Sequence, residues 1–233
     1  MLLIGCLAMS IHRFVLGSAR SATRSGAAYR RPMRITKYTH ACVRIEHDGR
    51  VLVVDPGTWS EPYALVGADA VLVTHEHTDH VDVLRLAGLG VPVFAPRDAR
   101  LPDLAPLPVT RVAAGERFTA AGFAVTAVGG RHAVIHDGEP DCVNLGYLVD
   151  DAVYHPGDSL HLPGRPVDTE LVPAQASWLK MTEAIDFAQA VESRRVFPIH
   201  DAQLNDRGLE SVNGWLGETL GDRYRYLAPG ETA

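Results

Sequence analysis

Within six residues, His75, His77, Asp79 and His80 place three imidazoles and a carboxylate in the order H-x-H-x-D-H. Imidazole nitrogen and carboxylate oxygen are the ligands that suit zinc and its first-row neighbours. The run before them, Val71-Leu72-Val73, reads as a short buried strand. If the chain stays extended past it, side chains at i and i+2 share a face, and His75 and His77 can close on one ion. A turn at Thr78 would swing Asp79 and His80 toward a second. The rival reading is a polar surface loop that happens to be rich in His; spacing this tight argues against it.

The elements that must hold this loop follow from local pattern. Val43–Glu46 and Val51–Val54 are strand-like runs joined at Asp48-Gly49, a strong hairpin signal. The second run stops at Asp55-Pro56-Gly57, so Asp55 stands at a strand end, either as a turn residue or as an oxygen partner for a ligand imidazole. Residues 79–89 are expected to form a short helix ended by Gly88 or Gly90, and residues 91–95 a strand. Residues 96–108 read as loop. Residues 109–128 hold two or three strands, with turns at Gly115 and Gly122, and run into Gly130-Arg131-His132. A hairpin about Asp150-Asp151 joins 143–149 to 152–154 and leads to His155-Pro156-Gly157-Asp158-Ser159. Leu171-Val172 is a short strand. Residues 182–193 are the clearest helix, with Ala184, Ile185, Ala188 and Val191 on one face and Thr182 as N-cap. Residues 195–199 are a strand followed by His200-Asp201, residues 208–220 a helix, and residues 224–227 a last strand. Strands early and helices later predict two mixed sheets packed face to face with helices outside, an α+β class.

A chain of 233 residues, 46% of them hydrophobic, is long enough for one large core. A net charge of −6 gives no basic surface for nucleic acid. The three cysteines, at 6, 42 and 142, form no C-x-x-C pair, and Cys42 and Cys142 read as small core residues. A cytoplasmic, reducing setting is the default expectation. Residues 1–32 differ: they carry Arg13, Arg20, Arg24, Arg30 and Arg31 and no acid. They read as an N-terminal extension, either a disordered or mis-assigned start or a targeting segment, and the apolar run at the front is too short to span a bilayer. The domain proper is expected over residues 33–233, with folding that does not depend on residues 1–32.

Four strand ends thus carry candidate ligands: the 75–80 loop, His132, Asp158 and His200. Singly, each of the last three reads as a turn residue. In this order and spacing, with Gly130-x-His132, Gly157-Asp158-Ser159 and Pro198-Ile199-His200, the chain resembles the metallo-β-lactamase superfamily over nearly all of residues 33–233. The resemblance implies a four-layer αββα sandwich. It implies that His75, His77 and His132 hold one metal, that Asp79, His80 and His200 hold a second, and that Asp158 bridges them. Asp79 and Asp158 would be the catalytic carboxylates. Within the superfamily, Thr39-His40-Ala41-Cys42, Tyr154-His155-Pro156-Gly157-Asp158 and Met181-Thr182 resemble the small metal-dependent hydrolases that include L-ascorbate-6-phosphate lactonase. Di-zinc β-lactamases carry Cys where Asp158 stands, which argues against β-lactam turnover.

The expected activity is hydrolysis of an ester, lactone or phosphodiester in a small molecule, by a hydroxide bridging two divalent ions, zinc first, with manganese or iron as alternatives. The rival is a mononuclear non-haem iron oxidoreductase of the sulfur-dioxygenase kind, since two His and a carboxylate also suit iron; retention of both Asp79 and His80 favours two metals. A metal-binding module without turnover is the third reading. His40 and His155 flank the expected site and are read as hydrogen-bonding residues. His136, His161, Trp178 and Lys180 are read as ordinary loop residues near its mouth.

Overall fold

Alternation along the strands assembles the core. In a strand, successive side chains point to opposite faces. Val43 and Ile45, then Leu52 and Val54, fall on one face of the first sheet, and Phe123, Val125 and Ala127 on one face of the second; all seven are buried in the same apolar cluster. That cluster is the seam between two sheets. Val51, Val53, Val71 and Val73 point the other way and are also buried, against Leu65 and Leu86 on the outer side. Both faces of these strands are therefore apolar, as expected for parallel strands covered on each side.

The structure is a computed structural model and describes residues 33–104, 108–138 and 142–233. The readings made of residues 1–32 lie outside them. The described residues belong to one compact unit. The first sheet has the order β1 (Arg34–Lys37), β2 (Val43–His47), β3 (Arg50–Val54), β4 (Ala70–Leu72), β5 (Val93–Pro96), β6 (Thr110–Val112). The second has the order β12 (Arg195–Ile199), β11 (Thr169–Pro173), β10 (Val153–His155), β9 (Leu145–Val149), β8 (Phe123–Gly129), β7 (Arg117–Ala120). In the first, β3 to β6 run parallel after an antiparallel hairpin; in the second, β10 to β12 run parallel and β7 to β10 antiparallel. Helices α2 (Met181–Val191) and α3 (Asp206–Leu220) cover the second sheet, burying Phe187, Val191, Val212 and Leu216. The cover of the first sheet is thinner: a 3-10 turn at Pro62–Leu65, the short helix α1 (Val83–Leu86) and loops. The result is the expected α+β sandwich of two sheets between outer layers. Among the described residues no helix is long and apolar enough to cross a membrane.

Three local readings are corrected. The helix expected over 79–89 is confined to Val83–Leu86, because Asp82 caps it through Arg85 N (3.0 Å) while His80 N and Val81 N turn back to His77 O (2.9 and 3.0 Å). The N-cap of α2 is Lys180, not Thr182; Glu183 Oε2 accepts from Lys180 N at 2.8 Å, which takes up a donor of the first turn. The strand expected at 224–227 is reduced to one bridge between Val196 and Tyr224. The chain instead ends beside β1, where Ile35 and Ala233 exchange two backbone hydrogen bonds of 2.9 Å.

The parallel strands bring their C-terminal ends to one edge. Asp55 follows β3, residues 74–80 follow β4, His132 follows β8, Asp158 follows β10 and His200 follows β12. Loops at such an edge, on a rigid scaffold, are where sites are built. Two hydrogen bonds tie the sheets together there: Tyr147 OH donates to Val73 O (2.8 Å) and Leu145 N to Thr74 O (2.9 Å).

Candidate metal centre

Two glycines let the loops approach. A Cβ on Gly57 would stand 1.8 Å from Asp79 O, so only Gly lets the turn after β3 pack on the His-rich loop. A Cβ on Gly157 would stand 2.3 Å from Asn144 Oδ1 and 2.7 Å from Thr74 Cβ, and its φ of +63° is itself a conformation that favours Gly. Asn144 then accepts from Asp158 N (3.0 Å) and donates to Pro156 O (2.8 Å), which fixes the turn that presents Asp158.

All seven predicted residues converge. His75, His77 and His132 offer ligand atoms within 4.8 Å of one another; so do His40, Asp79, His80 and His200, and so do His75, His80 and Asp158. Asp158 lies between the sets: its Oδ1 is 3.0 Å from His80 Nε2, and its Oδ2 is 3.0 Å from His200 Nε2 and 3.3 Å from His132 Nε2. Despite these distances, the Nε2 atoms of His80, His132 and His200 and Asp158 Oδ1 are buried and have no aligned hydrogen-bond partner. Buried polar atoms are normally satisfied, so four such orphans clustered at Asp158 need an explanation.

The opposite ring nitrogens are all engaged. His80 Nδ1 lies 2.7 Å from Asp55 Oδ2, His132 Nδ1 2.5 Å from Ala133 O, and His200 Nδ1 bonds Gln175 O. An oxygen acceptor requires the proton on Nδ1, so the lone pair of Nε2 in the neutral ring faces inward. His75 Nδ1 likewise contacts Thr74 Oγ1 (3.0 Å), whose hydroxyl proton goes to Asp55 Oδ2 (2.6 Å). His75 Nε2 and His77 Nδ1 face each other at 3.1 Å. Inward lone pairs, oriented from behind by oxygens, are the donor arrangement a divalent ion takes.

The electrostatics agree. Burial works against charge on His80, yet Asp158 and Asp55 on either side hold its pKa well above the ordinary imidazole range. Burial also opposes ionisation of Asp158, but His80, His132 and His200 keep its carboxyl well below the usual range. Asp79 is drawn down to about 2: burial opposes this, and the His40 hydrogen bond with the His80 charge outweighs it. Burial and the neighbouring His80 charge push His75 down. Buried carboxylates that favour an imidazolium favour a divalent cation in the same place.

The secondary residues divide as follows. Asp55 is a partner of His80 and not merely a turn former; it also accepts from Thr74 N at 2.7 Å. His40 Nε2 hydrogen-bonds Asp79 Oδ2 (3.0 Å), and its Nδ1 accepts from Ala202 N (3.4 Å). His155 bridges Ala41 O (2.8 Å) and Gly157 N (3.1 Å). Lys180 pairs with Glu183 on α2. Trp178 is the residue that sequence reasoning undervalued: its indole Nε1 donates to Asp158 Oδ2 at 3.3 Å. A lone Trp in a polar loop gives no local signal of a contact twenty positions back in the chain.

Fold and site together define a metallo-β-lactamase-type metal enzyme. The model of the beta-lactamase superfamily domain matches residues 34–200, and the chain belongs to that family. It is 39% identical over 181 residues to Protein Rv0786c of Mycobacterium tuberculosis, covering 73% of this chain and 84% of that one. It is 30% identical over 192 residues to a UPF0173 metal-dependent hydrolase of Nitratidesulfovibrio vulgaris, covering 72% and 79%. The metallo-beta-lactamase fold protein YhfI of Bacillus subtilis superposes with a TM-score of 0.69 at 14% identity, over 87% of this chain and 99% of that one, which bears on the fold alone. The protein is a metal-dependent hydrolase of this superfamily.

Proposed function

We propose that the chain hydrolyses an ester, lactone or phosphodiester bond of a small molecule at a two-metal centre, zinc being the first expectation. His75, His77 and His132 would hold one ion, Asp79, His80 and His200 the other, and Asp158 both. When bound, such ions lower the pKa of coordinated water toward neutrality and polarise the oxygen of the scissile bond. The observation that carries the reading is the set of orphaned Nε2 atoms of His80, His132 and His200 around Asp158.

The chain's own groups supply orientation. Asp55, Ala133 O, Gln175 O and Thr74 Oγ1 hold four imidazoles with one nitrogen inward. His40 holds one oxygen of Asp79, which turns the carboxylate and leaves Oδ1 without that constraint. Trp178 donates to Asp158 Oδ2 and so helps to orient that carboxylate. Groups fixed in advance lose little freedom when substrate arrives, which is the usual source of rate in such sites.

The test is metal analysis of the purified protein, then assay of the zinc- and manganese-loaded forms against carboxylic esters, lactones and phosphodiesters. About two ions per chain and turnover of one bond class are expected. Oxygen uptake without hydrolysis would turn the assignment to the iron oxidoreductase.

A further inference from the structure

A cleft of about 540 Å³ opens beside His132. Small-molecule sites typically measure ~300–1,000 Å³. Gly129, Gly130, Val134, Leu160 and Trp178 line it, together with polar side chains that include Ser159. His161, also in the lining, packs over Gly129: a Cβ there would stand 3.5 Å from its Cβ and Cγ. The two charged residues that line the cleft, Arg131 and Glu183, are opposite in sign. Glu183 is already committed, through Oε2 to Lys180 N at 2.8 Å and through Oε1 to Lys180 Nζ at 3.8 Å. The formal charges of the lining side chains sum to zero.

Val134 in the lining, and Ile135 and Leu162, each next in the chain to a lining residue, are apolar and exposed. Val134 is 64% exposed, Ile135 42%, and Leu162, on the loop that carries His161, 45%. Large apolar side chains left in water around a concave site mark a surface that a ligand covers. Trp178 joins this surface to the centre, since its ring lines the cleft while its N–H reaches Asp158.

We infer that this cleft seats an uncharged apolar substituent of the substrate, an alkyl chain or aryl ring, so that the preferred substrates are hydrophobic esters or lactones. What is cleaved rests on the hydrolase reading above; what is bound does not. Burying each methylene contributes ~0.8 kcal/mol, about a fourfold gain in affinity per carbon until the cleft is filled.

The experiment separates binding from turnover. Non-hydrolysable alkyl methyl ketones of increasing chain length are titrated into the full-length protein, following the indole N–H resonance of Trp178 assigned with Trp178→Phe. Kd is expected to tighten about two- to fourfold per added carbon. Val134→Asp, which puts a charge on an exposed lining position without disturbing the core, should weaken the longer ketones at least tenfold. Leu84→Asp, the same change at a residue 87% exposed on α1, should leave the series as it is. A Kd independent of chain length, or a series unaltered by Val134→Asp, overturns the inference. Chain-length-dependent binding with no turnover of the matching esters or lactones would uphold the cleft and count against the hydrolase assignment instead.

Discussion

His40 Nε2 lies 3.0 Å from Asp79 Oδ2, and the same histidine accepts His200 N on its carbonyl oxygen at 3.1 Å. One buried residue thus ties together Asp79 and His200, two of the four groups assigned to the second ion. Its backbone holds φ at +68°, a region that only a few non-glycine residues adopt. Asn tolerates that conformation but cannot span both Asp79 and Ala202 as the imidazole does. His40→Asn should weaken the second ion by about 10- to 100-fold, the usual effect of removing an orienting partner, and leave the first unchanged. Competition with a chromophoric chelator reads both affinities; two unchanged constants would remove His40 from the account.

Lys37 and Asp201 form a buried pair next to His200. Lys37 Nζ lies 3.0 and 2.9 Å from the two carboxylate oxygens, with side chains only 1% and 7% exposed. Removing one partner of such a pair leaves an uncompensated charge and costs about 3–5 kcal/mol. Lys37→Met should show a loss of that order in urea denaturation. Adding Asp201→Asn should restore much of it, because the stranded charge is gone. Strictly additive losses would mean the two residues act independently.

Glu170 gives a pH signature. It is fully buried on β11, Ser193 Oγ donates to its Oε2 at 3.0 Å, and its Oε1 has no partner. Burial pushes its pKa from 4.5 up to about 8, against the opposing effects of Ser193 and Arg223. Between these two values the native state holds a proton that the unfolded chain has released. The contribution of Glu170 is therefore fully present below about pH 4.5 and is lost as pH rises through about 8. Glu170→Gln should flatten that fall and be more stable than wild type at pH 9. Parallel stability curves for the two proteins would contradict the assignment.

Local chemistry made some elements legible and long-range contacts hid others. The hairpin at Asp48-Gly49 follows from turn preferences within four residues, and the structure has the turn there with both residues at positive φ. The 75–80 loop is legible because its spacing carries the chemistry. Helix α2 is found from its period: Ala184, Ala188 and Val191 are buried as read, Phe187 joins them, and Ile185 packs at their margin. Its cap at Lys180 is not legible, since no side-chain acceptor marks that position. Residues 224–227 look like a strand, but Tyr224 OH turns to Asn213 on α3 (2.5 Å) and the chain leaves the sheet after one bridge. Of the cleft beside His132, only His161 and Trp178 are legible, as loop residues near the mouth; the rest is not, because residues from β8, the loop after Asp158 and the segment before α2 meet only in the fold.

The central claim is that Asp158 serves two ions at once. Its two oxygens face His80 on one side and His132 and His200 on the other. Asn has nearly the same shape, but it is neutral and offers one good ligand atom. In a Gly-Asp-Ser turn with no other role, Asn would serve equally well. The deciding measurement is zinc stoichiometry, with turnover, of wild type and Asp158→Asn prepared side by side. The account predicts about two ions in the wild type, a weakened second ion in the folded mutant, and turnover lower by at least ~10²-fold. Wild-type stoichiometry and rate in Asp158→Asn would contradict it.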